Sequence, residues 1–355
     1  MRKCRPVKVG GLTLDGNKIY IQSMISVPST DIQGSVEQAA ELERAGCEII
    51  RAAIPDMDAV RLIPAIKEKV SMPLVADIHF DYKLAIAAAE AGVDAIRINP
   101  GNIGGIDRVK AVVDVCTKRG LPIRIGVHGG SLEKEILAKY GSPCSEALVE
   151  SAMGHVKILE DCGFGNIVIS IKSSDVETMI NGYRLLAQKC DYPLHLGVTE
   201  AGTERMGLIK SAVGIGSLLV DGIGETIRVS LTDDPVKEIY AAKDILKAIG
   251  KGSGVKIVSC PTCGRTRIDL IGLAKKVENM TKDIDKNITV AVMGCVVNGI
   301  GEAGEADVGI AGGDGCVVLF KNGKKLCRLP EEEALQALMN EIDKMLKDIK
   351  STILL

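Results

Sequence analysis

Tyr82-Lys-Leu-Ala-Ile-Ala-Ala-Ala-Glu-Ala-Gly92-Val-Asp-Ala-Ile-Arg97-Ile-Asn99-Pro100 carries the plan of most of the chain. Apolar residues at helical spacing run to Ala91, a glycine stops them, and a short isoleucine-bearing strand follows. Glycine closes a helix because it takes positive φ without a Cβ clash. The same unit returns three times: Ser35 to Ala45, Gly46, then Glu48 to Ala52; Ile106 to Arg119, Gly120, then Leu121 to Gly126; Ser145 to Cys162, Gly163, then Asn166 to Lys172. Further strands are expected at Ile19–Gln22, Leu74–Asp77, Leu194–Gly197 and Gly222–Val229. Strands alternating with helices imply parallel pairing through right-handed crossovers. Eight such units in about 250 residues suit an α/β fold of the (β/α)8 TIM-barrel type. A doubly wound open sheet would use the same elements, but polar residues recur at strand ends around the whole cycle, which favours the barrel. Pro64, inside the second helix, predicts a kink.

Those strand ends read Gln22 and Ser23; Arg51; Asp77 and His79; Arg97 and Asn99; Arg124 and His128; Ser170 and Lys172; His195, Thr199 and Glu200; Arg228 and Ser230. In a barrel, the C-terminal strand ends share one mouth, where active sites sit. Arg51, Arg97, Arg124, Arg228 and Lys172 would converge there. Cations that cannot pair with one another need an anion, and guanidinium forks suit phosphate oxygens. A phosphorylated small-molecule substrate is therefore expected. Asp77 and Glu200 are acid–base candidates; the plainer alternative is that they orient the arginines through ion pairs. His79 and His128 could donate hydrogen bonds to the ligand, whereas His155, in mid-helix, reads as structural.

A second centre follows a Gly250-Lys-Gly-Ser-Gly254 linker, which separates residues 1–247 from a smaller α+β unit at 254–355. Here Cys260-Pro-Thr-Cys263-Gly-Arg265 follows a strand at Val255–Val258, and Met293-Gly-Cys295-Val-Val-Asn-Gly-Ile-Gly-Glu302 follows a strand at Thr289–Met293. A helix is expected between them, from Ile268 to Asn279. A zinc ribbon would bring a second C-x2-C pair, and this chain has none. Three thiolates with a weaker fourth ligand suit an iron–sulfur cubane, and Glu302 is the natural fourth. Cys316 is its rival, and a structural zinc site stays open. Asn322-Gly323 marks a type I′ hairpin that would set Cys316 across from Cys327. Leu335, Leu338, Ile342, Leu346 and Ile349 form the apolar stripe of a last helix.

Composition narrows the classes. Of 355 residues 46% are hydrophobic, enough for a large core, and there is no Trp. A net charge of −2 and few aromatics argue against a nucleic-acid partner. The first residues lack the apolar core of a secretory signal, no run is long enough to span a membrane, and the odd count of 11 cysteines suits a reducing, cytoplasmic setting. Cys47, Cys116, Cys162 and Cys190 read as small buried hydrophobes.

The chain resembles the 4-hydroxy-3-methylbut-2-enyl diphosphate synthase family. The resemblance is carried by Ile21-Gln-Ser-Met24, Val75-Ala-Asp-Ile-His-Phe-Asp-Tyr82, Arg97-Ile-Asn-Pro-Gly-Asn102, Leu196-Gly-Val-Thr-Glu-Ala-Gly202, Gly224-Glu-Thr-Ile-Arg-Val-Ser-Leu-Thr232 and the two cysteine stretches. It implies an oxidoreductase of isoprenoid biosynthesis, with a 4Fe–4S cluster on Cys260, Cys263, Cys295 and Glu302. The implied reaction is two-electron reductive ring opening of 2-C-methyl-erythritol 2,4-cyclodiphosphate. The resemblance further implies that Arg97, Arg124 and Lys172 hold the diphosphate with help from Arg228 and Ser230. Arg51, Asp77, Asn99 and His128 would line the same mouth, and Glu200 would deliver a proton. Ferredoxin or flavodoxin as electron donor and a homodimer sharing its active sites are implied too. Ile300 and His128 depart from the family's usual proline and asparagine. Outside that family, Lys172 could serve a class I aldolase as its Schiff-base amine, and a zinc-stabilised binding module would be redox-silent.

Overall fold

The computed structural model of the chain describes residues 2–296, 301 and 303–353, with 348–353 described by backbone alone. Glu302 and Ile300 therefore lie outside the described residues. The chain divides into two compact units, Met1–Ile249 and Gly250–Leu355.

The first unit opens with a hairpin, β1 (Val7–Val9) and β2 (Leu12–Leu14), which the sequence reading had not anticipated. Eight barrel strands follow: β3 (Tyr20–Met24), β4 (Ile49–Ala53), β5 (Leu74–Asp77), β6 (Ala95–Ile98), β7 (Ile123–His128), β8 (Ile167–Lys172), β9 (His195–Leu196) and β10 (Thr226–Ile227). All pair in parallel, in the order β8-β7-β6-β5-β4-β3-β10-β9. A bridge from Ile169 to Leu194 joins β8 to the start of β9 and closes the ring. The expected TIM barrel is thus present.

Glycine stops recur where the sequence placed them. Gly46 and Gly120 cap the helices Ile32–Ala45 and Ile106–Arg119 in the left-handed conformation. Pro64 proves harmless. The second helix begins at Leu62, so the proline occupies its first turn, where no intrahelical donor is required. One large core of buried Ile, Val, Leu and Ala packs the barrel's outer surface against its helices. The barrel's lower end is closed by the hairpin: Val7, Val9 and Leu14 pack with Ile49, Val75, Ala95 and Val168.

The second unit is a five-stranded mixed sheet in the order β11 (Val255–Ser259), β12 (Ile288–Met293), β13 (Val308–Gly313), β14 (Cys316–Lys321) and β15 (Lys324–Leu329). The first three strands run parallel and the last two antiparallel. Helices Leu270–Thr281 and Glu331–Ile353 contribute Leu270, Val277, Leu338 and Ile342 to the core of this sheet. Asn322 (φ 49°) and Gly323 (φ 70°) make the expected tight turn. Cys316 and Cys327 do not face each other across it. The two-residue turn pairs Lys321 with Lys324, which already sets Cys316 beyond the reach of Cys327; Cys327 lies opposite Leu319, and Cys316 pairs with Gly313 on β13. Cys327 is exposed on the edge strand rather than inside the sheet. Among the described residues no helix is long and apolar enough to cross a membrane.

Candidate active site

Three charged side chains come from one register of neighbouring strands. Asp77 on β5 lies opposite Arg97 on β6, and Arg97 opposite Arg124 on β7. Like charges facing each other on adjacent strands repel. Asp77 offsets part of that repulsion: its Oδ1 is 3.1 Å from Arg97 Nη1, and its Oδ2 is 3.6 Å from Arg51 Nε and 3.7 Å from His79 Nε2. Burial alone would push the Asp77 carboxyl up, but Arg51, a hydrogen bond from His79 and Arg97 outweigh it and hold it well below the usual carboxylate range. Burial also draws the Arg51 guanidinium down to about 10, with Asp77 opposing.

The other cations are held differently. Arg228 reaches Glu238 at 3.1 Å (Nη2 to Oε1) and 3.3 Å (Nε to Oε2). That buried carboxylate also accepts from Ser23 Oγ and from the Leu231 N–H. Arg124 Nη1 donates across the barrel interior to Gln22 Oε1 at 2.5 Å, while its Nη2 is buried without a hydrogen-bond partner. Lys172, at the end of β8 and in register with His128, has no ion pair among the described residues. Burial, then Arg51 and Arg228, hold its amine well below the ordinary lysine value. Five cations thus meet two carboxylates, Asp77 and Glu238.

Between them lies a cavity of about 270 Å³, lined by all five cations with Asp77, His79, His128, Ser170, Thr199 and Ser230. Two glycines make room for it. A Cβ at Gly126 would fall 2.2 Å from Arg97 Nε, and one at Gly197 would fall 2.7 Å from the Arg228 carbonyl oxygen and 3.1 Å from Lys172 Nζ. A surplus of buried positive charge, several fork-shaped donors and a small volume are suited to a compact polyanion.

The expected residues converge with three differences. Arg124 is the second residue of β7 rather than an end residue, and its long side chain reaches the cavity from deeper in the barrel. Asn99 does not line the cavity; its Oδ1 caps the short helix Pro100–Ile103 by accepting the Gly101 N–H at 3.1 Å. Glu200 is exposed beside Thr199, outside the cavity lining, and its backbone sits at φ 51°. That left-handed conformation is costly for a non-glycine residue and fixes where its carboxylate departs from the loop. Burial, and then Arg97, lower the proton affinity of His128, with Glu200 opposing.

Glu238 was missed by the sequence reading. The signal was available: a carboxylate on the buried stripe that continues through Ala242 and Ile245 of helix Pro235–Ala248. Gln22 had been noted only as a strand-end residue, and its partnership with Arg124 needed the closed ring.

In the second unit, Cys260 and Cys263 leave the end of β11, and Cys295 leaves the end of β12. The two loops touch: Cys260 Sγ accepts the Gly294 N–H at 3.2 Å, and the Arg267 N–H donates to the Gly294 carbonyl at 2.9 Å. The backbone N–H of Arg265, then its side chain, holds the Cys263 thiol below its ordinary value and so favours the thiolate. Among the described residues no three His, Cys, Asp or Glu side chains already form a metal shell. Soft donors on two touching loops nevertheless fit a thiolate-held iron–sulfur group.

Comparison with known proteins follows the same division. Residues 4–243 match the family model described as GcpE TIM-barrel domain, and residues 256–344 match GcpE protein C-terminal domain. A Clostridium perfringens protein named 4-hydroxy-3-methylbut-2-en-1-yl diphosphate synthase (flavodoxin) is 56% identical over 344 residues, covering 96% of this chain and 99% of its own. A Caldanaerobacter subterraneus protein of the same name is 56% identical over 351 residues, covering 98% and 99%. Among solved structures, a Coxiella burnetii dihydropteroate synthase in complex with pteroic acid matches with a TM-score of 0.50 at 12% identity, covering 70% of this chain and 98% of that one. That last likeness concerns the barrel fold alone.

Proposed function

The chain belongs to the GcpE family, and from that premise we propose that it makes 4-hydroxy-3-methylbut-2-enyl diphosphate in isoprenoid biosynthesis. It is an oxidoreductase that opens the ring of 2-C-methyl-erythritol 2,4-cyclodiphosphate with two electrons and releases a hydroxyl as water. The observation that carries this reading is the surplus of cations in the barrel cavity. Five basic side chains outnumber the carboxylates Asp77 and Glu238, a surplus that suits a cyclic diphosphate.

Arg97, Arg124 and Lys172 hold the diphosphate, and Arg228 and Ser230 add donors. Arg51 and His128 line the same wall, and Asp77 keeps Arg51 and Arg97 aimed into the cavity. Burial and then the neighbouring cations depress the Lys172 amine, so a bound diphosphate, by offsetting those cations, raises its proton affinity. Glu200, held beside Thr199 at the mouth, delivers the proton that lets the hydroxyl depart as water. Cys260, Cys263, Cys295 and Glu302 would hold a 4Fe–4S cluster. When bound, such a cluster would pass on, one at a time, the two electrons needed to break the carbon–oxygen bond, each drawn from reduced ferredoxin or flavodoxin. The enzyme works in the cytoplasm as a homodimer whose subunits share active sites.

The test is an iron and acid-labile sulfide assay with a visible spectrum on anaerobically purified protein, followed by turnover of the cyclic diphosphate with reduced flavodoxin. Zinc without sulfide would overturn the redox reading. Glu302→Ala should change the spectrum, and an unchanged spectrum would remove Glu302 from the ligand set. One observation favours a second reading: a buried, low-pKa Lys172 amine is also what Schiff-base chemistry uses. Borohydride trapping of a carbonyl substrate on Lys172 would support that alternative.

A further inference from the structure

Helix Ser145–Asp161 presents a buried imidazole to two loops of the barrel mouth. His155 Nε2 lies 2.9 Å from Glu133 Oε1, close but without hydrogen-bond geometry. The second Glu133 oxygen and His155 Nδ1 are buried without hydrogen-bond partners. On its other side the ring rests on Gly101, where a Cβ would fall 2.7 Å from His155 Cε1. Gly101 is tied in turn to Asn99, two residues beyond Arg97. Glu133 follows the turn Gly129–Ser131, whose Ser131 Oγ accepts the N–H of His128. The ring therefore stands behind both the loop leaving β6 and the loop leaving β7. An imidazole with unmatched nitrogens is an unfavourable way to fill a core position. Leucine or methionine would fill the space alone, so the ring's contacts with the two loops account for it better than packing does.

We propose that His155 is a positioning residue for the anion cavity: wedged between Gly101 and Glu133, it fixes the ends of β6 and β7 and with them Arg97 and His128. This rests on the reading of the cavity as an anion site. The probe is inorganic diphosphate, titrated calorimetrically into the full chain. His155→Ala should weaken binding about tenfold, the range seen for residues coupled through shared contacts. His155→Gln, still able to reach Glu133, should retain most of the affinity. Gly101→Ala should weaken binding too, and by less in the His155→Ala background, where the missing ring leaves room for the methyl. Val156→Ala, a core truncation on the same helix, should lower Tm and leave the Kd unchanged. Folded His155→Ala and Gly101→Ala variants with the parent Kd would overturn the proposal while leaving the anion site standing. If His155→Ala does not fold, Gly101→Ala and His155→Gln decide the matter by the same measure. A parent chain that binds no diphosphate would remove the anion site itself, and this proposal with it.

Discussion

At the barrel mouth nearly every cation is already held: Arg51 and Arg97 by Asp77, Arg228 by Glu238, and Arg124 by Gln22. At the cysteine end of the five-stranded sheet, half-exposed thiols leave separate loops that meet through the backbone of Gly294. The first region is rigid before any ligand arrives, so little ordering entropy is lost on binding. The second brings thiols on two touching loops near one another without forming a metal shell among the described residues. The difference separates two kinds of damage. Mutations at the mouth should change affinity, whereas mutations at the thiols should change what the protein contains.

The sharpest break would come from Cys295→Ser. Iron and sulfide content of anaerobic protein should fall to near zero, while diphosphate affinity measured by calorimetry stays within about twofold, well under the tenfold expected for a lost binding contact. Loss of both together would show that the two regions are not independent. Next in size is Asp77→Asn, which leaves Arg51 and Arg97 without their shared counter-charge. Breaking such a buried pair costs about 3 kcal/mol, read from urea unfolding at neutral pH. The pH dependence has a definite sign. The folded Asp77 carboxyl sits below its unfolded value of about 4, so its stabilisation is present above that value and fades as pH falls below it. The asparagine variant should lose that acid-side slope.

Lys172→Met should weaken diphosphate binding by about tenfold to a hundredfold, the loss of one charge-assisted contact, without altering iron content. The parent protein should also take up a proton through Lys172 on binding. Its affinity should then gain strength as pH falls from the ordinary lysine range toward the depressed value and level off below it, and calorimetry in buffers of different ionisation enthalpy should show both effects shrink in the variant. Gly126→Ala, which pushes a methyl into Arg97, should cost about tenfold in the same titration. Cys327→Ser should change neither affinity nor iron content, since that thiol is exposed on the edge strand.

Much of this arrangement was legible in the chain because glycine stops and short β-branched strands follow from local chemistry. The cations were legible for the same reason: a barrel turns a position along a strand into a position in space. What escaped was set by tertiary contact. Strand β13 reads as Val308-Gly-Ile-Ala-Gly-Gly313, a poor strand by propensity. Its glycines answer to neighbours, since a Cβ at Gly309 would lie 2.5 Å from the Phe320 ring and one at Gly312 would lie 2.6 Å from the Gly294 carbonyl. Glu238 escaped because its partner Arg228 comes from another element, and Asn99 was misplaced because capping and lining look alike in a strand-end list.

The small hairpin of β1 and β2 has a consequence for turnover. By packing Val7, Val9 and Leu14 under the strands, it closes the barrel's lower end and, among the described residues, leaves the mouth as the way in. Whatever enters must leave by the same door, so a departing diphosphate obstructs the next arrival. Product should therefore compete directly with substrate, and shedding it becomes a natural bottleneck of the cycle.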